Sequence, residues 1–293
     1  MITRTTEAPP LGHINLQGGW PTPRLHPAAA LGAAASGVFG RQDVHEDLKY
    51  GPELGDRETR DLIAKWLAES YQQGPVVTGD RIIITNGASN GLATLLQKLA
   101  DPASTATIWM VEPTYFLACP IFRDAGFSGR IRGVPEAEDG IDLDFLARAL
   151  EEADASRLSS DGLPPGGRKD VKKGYPKTYR HVIYLIPTFS NPSGKTMQLR
   201  SRERLVRLAR KHDTLVVSDD VYDVLMWPAE ESDGRTDIGP CPPRLVDIDR
   251  RLEGASIFGN CVSNGSFSKI VAPGVRVGWI EGNEKLIQAL GTV

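Results

Sequence analysis

The chain has little that would tie it to a metal, a membrane or a disulfide lattice. Its three cysteines, Cys119, Cys241 and Cys261, stand too far apart for a metal-spaced pair or a disulfide framework. Five scattered histidines form no HExxH or comparable set, so no metal ligand is expected. No run approaches the roughly 20 apolar residues that a membrane span needs. Residues 1–12 carry no apolar signal region. One-sided charge is absent too: 34 basic residues stand against 37 acidic ones, spread along the chain. That excludes a basic face for nucleic acid. No Arg-rich, acid-poor transit segment opens the chain, which favours the cytosol over the mitochondrion.

What is present is ordinary globular material. Hydrophobic residues make up 40% and charged residues 24% of the 293, enough for a core and too apolar for disorder. The length fits one large domain or two ordinary ones. Short apolar runs at 82–85, 107–111, 129–134, 182–186, 215–218, 258–263 and 275–280 read as strands. Helical spacing separates several of them. Leu62, Ile63, Trp66, Leu67 and Tyr71 share one predicted face, and Leu92, Leu95, Leu96 and Leu99 share another. Strands alternating with helices predict an α/β fold, a mostly parallel seven-stranded sheet flanked by helices. Residues 154–180 and 228–243 have loop composition. Residues 1–44 are rich in Pro and Gly and read as an arm.

Chemistry gathers after the strands. Asn86-Gly87-Ala88-Ser89-Asn90-Gly91 joins a strand to a helix, and the unpaired N–H groups of such a helix start favour an anion. The same residues match GxSxG, which would make Ser89 a hydrolase nucleophile. A triad then needs a later histidine on a loop after a strand. His181 and His212 each precede a strand, so that match is a false positive. Ser266-Phe267-Ser268-Lys269, with Arg276 close behind, combines two hydroxyls, an amine and a guanidinium suited to a phosphate. Asp219, Asp220 and Tyr222 follow another strand, where a buried carboxylate needs a cationic partner or a helix to cap. Asn191 lies in Asn191-Pro192-Ser193-Gly194, and Tyr115 in Glu112-Pro113-Thr114-Tyr115. Together these segments suit one ligand with a phosphate, an aldehyde, a pyridine nitrogen and a phenolic oxygen: pyridoxal 5′-phosphate (PLP).

The tract from Asn264 to Arg276, with Asn191-Pro192-Ser193-Gly194 and Asp219…Tyr222, resembles the class I/II PLP-dependent aminotransferases of fold type I. Within that family the resemblance is to a fungal branch near 2-aminoadipate and kynurenine aminotransferases. It implies transamination between an amino acid and a 2-oxo acid through an internal aldimine on Lys269. Catalytic roles fall to Lys269, Asp219, which would pair with the pyridinium nitrogen, and Tyr222. Asn191 and Tyr222 would bond the ring oxygen, and Tyr115 would stack on the ring. Ala88, Ser89, Ser266, Ser268 and Arg276 would hold the phosphate. Tyr50 would reach a phosphate in the partner of a homodimer, and Gly19 would lie near the substrate carboxylate. The resemblance also suggests cis bonds at Glu112–Pro113 and Asn191–Pro192.

The family continues into a C-terminal small domain that carries an arginine clamp for the substrate carboxylate, and no Arg follows Arg276. The expectation is therefore a truncated chain with impaired transamination. Residues 1–45 would be the arm and a remnant of the small domain, 46–284 the PLP-binding large domain, and 285–293 the start of a truncated segment. The competing readings are a non-catalytic PLP-binding or dimerisation fragment, and another fold type I reaction such as a lyase or decarboxylase. The donor amino acid is not legible.

Overall fold

A computed structural model of the chain describes residues 19, 21–71, 77–158, 175, 177–226 and 241–291. Among them, eight strands form one sheet: β1 (Ile82–Thr85), β2 (Thr107–Glu112), β3 (Ile131–Ala137), β4 (Gly140–Ile141), β5 (His181–Leu185), β6 (Thr214–Asp219), β7 (Cys261–Ser266) and β8 (Gly278–Glu281). The helices are α1 (Ala28–Phe39), α2 (Val44–Asp47), α3 (Arg57–Tyr71), α4 (Ala88–Leu99), α5 (Ala118–Phe122), α6 (Leu143–Leu158), α7 (Leu199–Lys211), α8 (Leu245–Arg251) and α9 (Glu284–Gly291).

The strand order is β1-β8-β7-β6-β5-β2-β3-β4. The pairs β7–β6, β6–β5, β5–β2 and β2–β3 are parallel. Strand β8 runs antiparallel to both β1 and β7, so β1 and β7 point the same way. Six strands thus end at one edge of the sheet, and β8 starts there. This reversal decides where the residues ahead of β8 lie.

Every residue of β5, β6 and β7 is buried, as expected of a sheet covered on both faces. On one face Met110, Val182, Tyr184, Val217 and Val262 meet Leu92, Leu95, Leu96 and Leu99 of α4 and Leu286 of α9. On the other, Trp109, Ile183, Leu185 and Val216 meet helices α6, α7 and α8 through Leu146, Leu205 and Leu245. Each such leucine contributes about 2 kcal/mol by leaving water. Helix α3 packs Ile63, Leu67 and Tyr71 over Ile82 and Trp279.

The structure corrects several expectations. The sheet has eight strands, not seven; the extra one, β4, is a two-residue edge strand too short to leave a pattern. Strands β7 and β8 each begin three residues later than the apolar runs suggest. Polar Ser263, Asn264 and Ser266 belong to β7, while Pro273–Val275 forms a 3-10 turn ahead of β8. Leu62 is 59% exposed, off the buried face of α3. The arm contains α1, exposed along its whole length. Helix α6 runs into the first predicted loop. The rest of that loop, but for Tyr175 and 177–180, and all of the second except 241–243 lie outside the described residues.

Candidate active site

The strands bring the singled-out segments to one edge. Residues 86–91 follow β1, 113–115 follow β2, 187–194 follow β5, Asp219 closes β6 and Lys269 follows β7. Arg276 was expected inside a strand. It lies ahead of β8 instead, and the reversal of β8 puts it at the same edge. Open α/β sheets bind ligands at this edge, where strand carbonyls and helix starts are left without ladder partners.

Lys269 is half-buried, and its Nζ donates to the Gly19 carbonyl at 2.5 Å. Its amine lies 6.0 Å from the Tyr222 ring centre. Burial pushes the amine below its usual pKa, with the Asp219 charge opposing. Asp219 is buried, and burial pushes its pKa up to about 6; the Tyr184 hydroxyl opposes that shift and Asp220 adds to it. The Tyr184 hydroxyl donates to Asp219 Oδ2 at 2.6 Å, whereas Oδ1 is buried with no hydrogen-bond partner. A lone acceptor in such a place costs free energy unless a donor arrives. No helix starts at 219 or 220, and residues 221–224 form turns, so capping does not account for these aspartates.

The anion cradle is built around Gly87. Its φ of +93° starts α4, and a Cβ there would come within 2.4 Å of Arg276 Nη2. The positive φ is what requires glycine here. Arg276, itself left-handed at φ +50°, donates to the Asn86 carbonyl at 2.8 Å, the Pro273 carbonyl at 3.0 Å and Ser268 Oγ at 3.1 Å. Ser266 Oγ donates to Ser268 Oγ at 2.9 Å. Asn264 Nδ2 donates to the Ala88 carbonyl at 2.9 Å and ties β7 to the first turn of α4. Two hydroxyls, a guanidinium and the helix start that carries Ala88 and exposed Ser89 therefore converge. This donor set suits a phosphate.

Asn191 Nδ2 donates to the Tyr222 hydroxyl across 3.5 Å, joining the loops after β5 and β6. Burial raises the Tyr222 phenol, Asn191 opposes and Asp219 adds. Tyr115 is half-buried; burial raises its phenol too, with the Asp219 and Tyr222 charges adding. Both Glu112–Pro113 and Asn191–Pro192 are cis. Tyr50 is fully exposed.

The hydrolase match is not assembled. His212 Nδ1 lies 2.7 Å from Asp154 Oδ2 and His181 Nε2 lies 3.1 Å from Asp154 Oδ1. Both histidines sit where β5 and β6 begin, the edge opposite Ser89.

Two buried residues near the site went unnoticed in the sequence. Tyr184 looks like one more apolar residue of β5. Arg202 of α7 is fully buried and donates to the Met197 carbonyl at 2.9 Å, the Pro187 carbonyl at 2.9 Å and Thr188 Oγ1 at 2.8 Å. It pins both ends of the loop that carries Asn191. An arginine amid the apolar spacing of Leu205, Val206 and Ala209 was the available signal.

Residues 17–293 match the family model for Aminotransferase class I and II. An uncharacterised protein of Saccharomyces cerevisiae is 37% identical over 290 residues, which covers 92% of this chain and 63% of that protein. Aromatic-amino-acid aminotransferase 1 of Thermococcus litoralis is 30% identical over 278 residues, covering 94% of this chain and 56% of that protein. Among solved structures, LysN, the alpha-aminoadipate aminotransferase of Thermus thermophilus complexed with N-(5′-phosphopyridoxyl)-L-leucine, superposes with a TM-score of 0.68. It is 26% identical, over 94% of this chain and 57% of that one. The chain thus spans about three-fifths of the length of the relatives it matches.

Proposed function

The chain belongs to the class I and II aminotransferases, and from that premise we propose that its site takes PLP and transfers an amino group between an amino acid and a 2-oxo acid. The family uses PLP, and the residues present fit it. The orphaned Oδ1 of Asp219 suits a protonated ring nitrogen, and the Gly87 cradle suits the phosphate. When bound, PLP supplies an electron sink for the bonds broken at the substrate α-carbon.

The side chains divide the remaining work. Ala88, Ser89, Ser266, Ser268 and Arg276 would hold the phosphate. Asn191 and Tyr222 would hold the ring oxygen, and Tyr115 would cover the ring. Asp219 would keep the ring nitrogen protonated. Lys269 would hold the cofactor aldehyde. It would then take the proton from the substrate Cα and return it, as general base and acid. Its lowered pKa suits that exchange, because more of the amine is neutral near pH 7. Gly19, already against Lys269 Nζ, would border the substrate.

The reading extends to assembly and layout. Exposed Tyr50 would serve the phosphate of a second copy in a homodimer. The cofactor-binding unit, expected over 46–284, would extend through α9, because Leu286, Ile287 and Leu290 join its core, with 1–45 as a flanking arm. Among the described residues no helix is long and apolar enough to cross a membrane. A donor of the 2-aminoadipate or aromatic class is proposed from the relatives.

The buried, partnerless Oδ1 of Asp219 carries this reading. The test is an absorbance spectrum of the purified chain with PLP, before and after borohydride. A visible band, absent in Lys269→Ala, is expected, and reduction should abolish it and leave the cofactor covalently on Lys269. Loss of that band on adding an amino acid would demonstrate the amino-group transfer. A band that no amino acid changes would reduce the chain to a binding protein, and no band would overturn the proposal.

A further inference from the structure

Tyr184 is buried on the same sheet face as Val217 and reaches Asp219 from the neighbouring strand. The parallel register sets Tyr184 beside Val217, so Asp219 is two residues further along β6 with its side chain on that face. Phe122 fixes the ring edge-on at 5.9 Å and 74°. The hydroxyl donates a hydrogen bond to Oδ2 at 2.6 Å and leaves Oδ1 with no partner. A phenylalanine would fill the same volume, so packing alone does not call for the oxygen.

We infer that Tyr184 is a positioning residue: it grips Asp219 by Oδ2, favours the ionised carboxylate, and leaves Oδ1 as the acceptor for a protonated ring nitrogen. This rests on the PLP reading above. A hydrogen-bond donor to a carboxylate stabilises the charged form, and here it offsets part of the cost of burial. Other groups face Asp219 as well. On its own segment the Asp220 charge disfavours ionisation and a backbone hydrogen bond from Val221 favours it, as does Lys269 from the loop after β7. Tyr115 comes from the loop after β2, and Tyr222 from the turn after β6. Among the described contacts, Tyr184 is the side chain that donates a hydrogen bond to Asp219.

The test uses Tyr184→Phe, Asp219→Asn and the double variant in the full chain, with PLP as the probe and thermal melting to confirm folding. PLP binding by Tyr184→Phe should weaken roughly tenfold near pH 7, as expected for a lost charge-assisted hydrogen bond, and recover toward the wild-type value at higher pH. In the Asp219→Asn background the second substitution should change nothing. A loss that is equal at every pH, or that persists in the double variant, would mean a packing role and overturn the proposal. The carboxylate of Asp219, followed by carbon NMR in the cofactor-free chain, should titrate at higher pH in Tyr184→Phe. An unchanged titration overturns the proposal even if the wild-type chain binds no PLP, an outcome that would separately count against the proposed function.

Discussion

Two buried charge clusters in this molecule follow opposite logics. Around Arg244 each charge has an opposite one beside it. Its Nε donates to Asp247 Oδ2 at 2.9 Å, its Nη1 lies 2.5 Å from Glu281 Oε2, and its guanidinium stacks 4.3 Å from the Tyr71 ring centre. Burial works against the Arg244 charge, yet Glu281 and Asp247 outweigh it and hold its pKa well above the ordinary value. At the strand ends the account stays open. Asp219 has one oxygen satisfied by Tyr184 and the other by nothing, and Lys269 leans on a backbone carbonyl. The closed cluster holds the fold together. The open one is a cost that a ligand can remove, a pattern expected where stability is traded for binding.

That contrast can be broken most severely at Lys269. Replacing it by alanine should lower any transamination by about 10²–10⁴-fold, the range for a positioned acid–base group, and should leave the melting temperature nearly unchanged. Steady-state rates and a melting curve read both. Arg244→Met should do the reverse. It removes the nearest cation from Asp247 and Glu281, which keep only Arg250 and Arg81 at 3.6 Å, at a cost of about 3–5 kcal/mol, measured by urea unfolding of the cofactor-free chain. If this variant were as stable as the wild type, the closed cluster would not be structural.

Asp219→Asn sharpens the comparison by sign. Asp219 keeps its proton to about 6 in the folded chain, against a usual value of 3.8. The folded state's relative advantage on this group is therefore complete below about 4 and lost as pH rises through about 6. The asparagine variant should be more stable than the wild type at pH 7, by on the order of 2–3 kcal/mol, and no more stable at pH 4. It should also bind PLP more weakly. The smallest effect is expected at Gly87→Ala, where the left-handed backbone and the Arg276 contact should cost about 1–2 kcal/mol in stability. Phosphate-dependent PLP affinity should fall with it, measured against pyridoxal lacking the phosphate.

The fold was legible where periodicity is strong. The leucines of α4 and the β-branched strands β1 and β5 lie within a residue of expectation, because covered strands and amphipathic helices leave distinct patterns. Strand β7 was displaced because its second half carries the buried polar residues Ser263, Asn264 and Ser266 in place of apolar ones. Of the candidate site, Lys269, Asp219, Asn191 and Tyr222 could be picked out because polar and reactive residues clustered just beyond predicted strands, and Arg276 because a guanidinium inside a predicted strand needs a partner. Tyr184 and Arg202 could not, since a tyrosine in an apolar run and an arginine on a helix are commonplace until their partners are seen.

The sequence by itself determined the alternation of strand and helix, the segments that carry chemistry and the family to which they belong. All of these depend on residues near one another in the chain. Only the tertiary structure decided that β8 runs backwards, which brings Arg276 to the edge where β1 opens α4. Only it chose which oxygen of Asp219 is bonded and which is left waiting. The reason is physical: strand direction and hydrogen-bond partnership arise between segments far apart in sequence, and no local pattern encodes them.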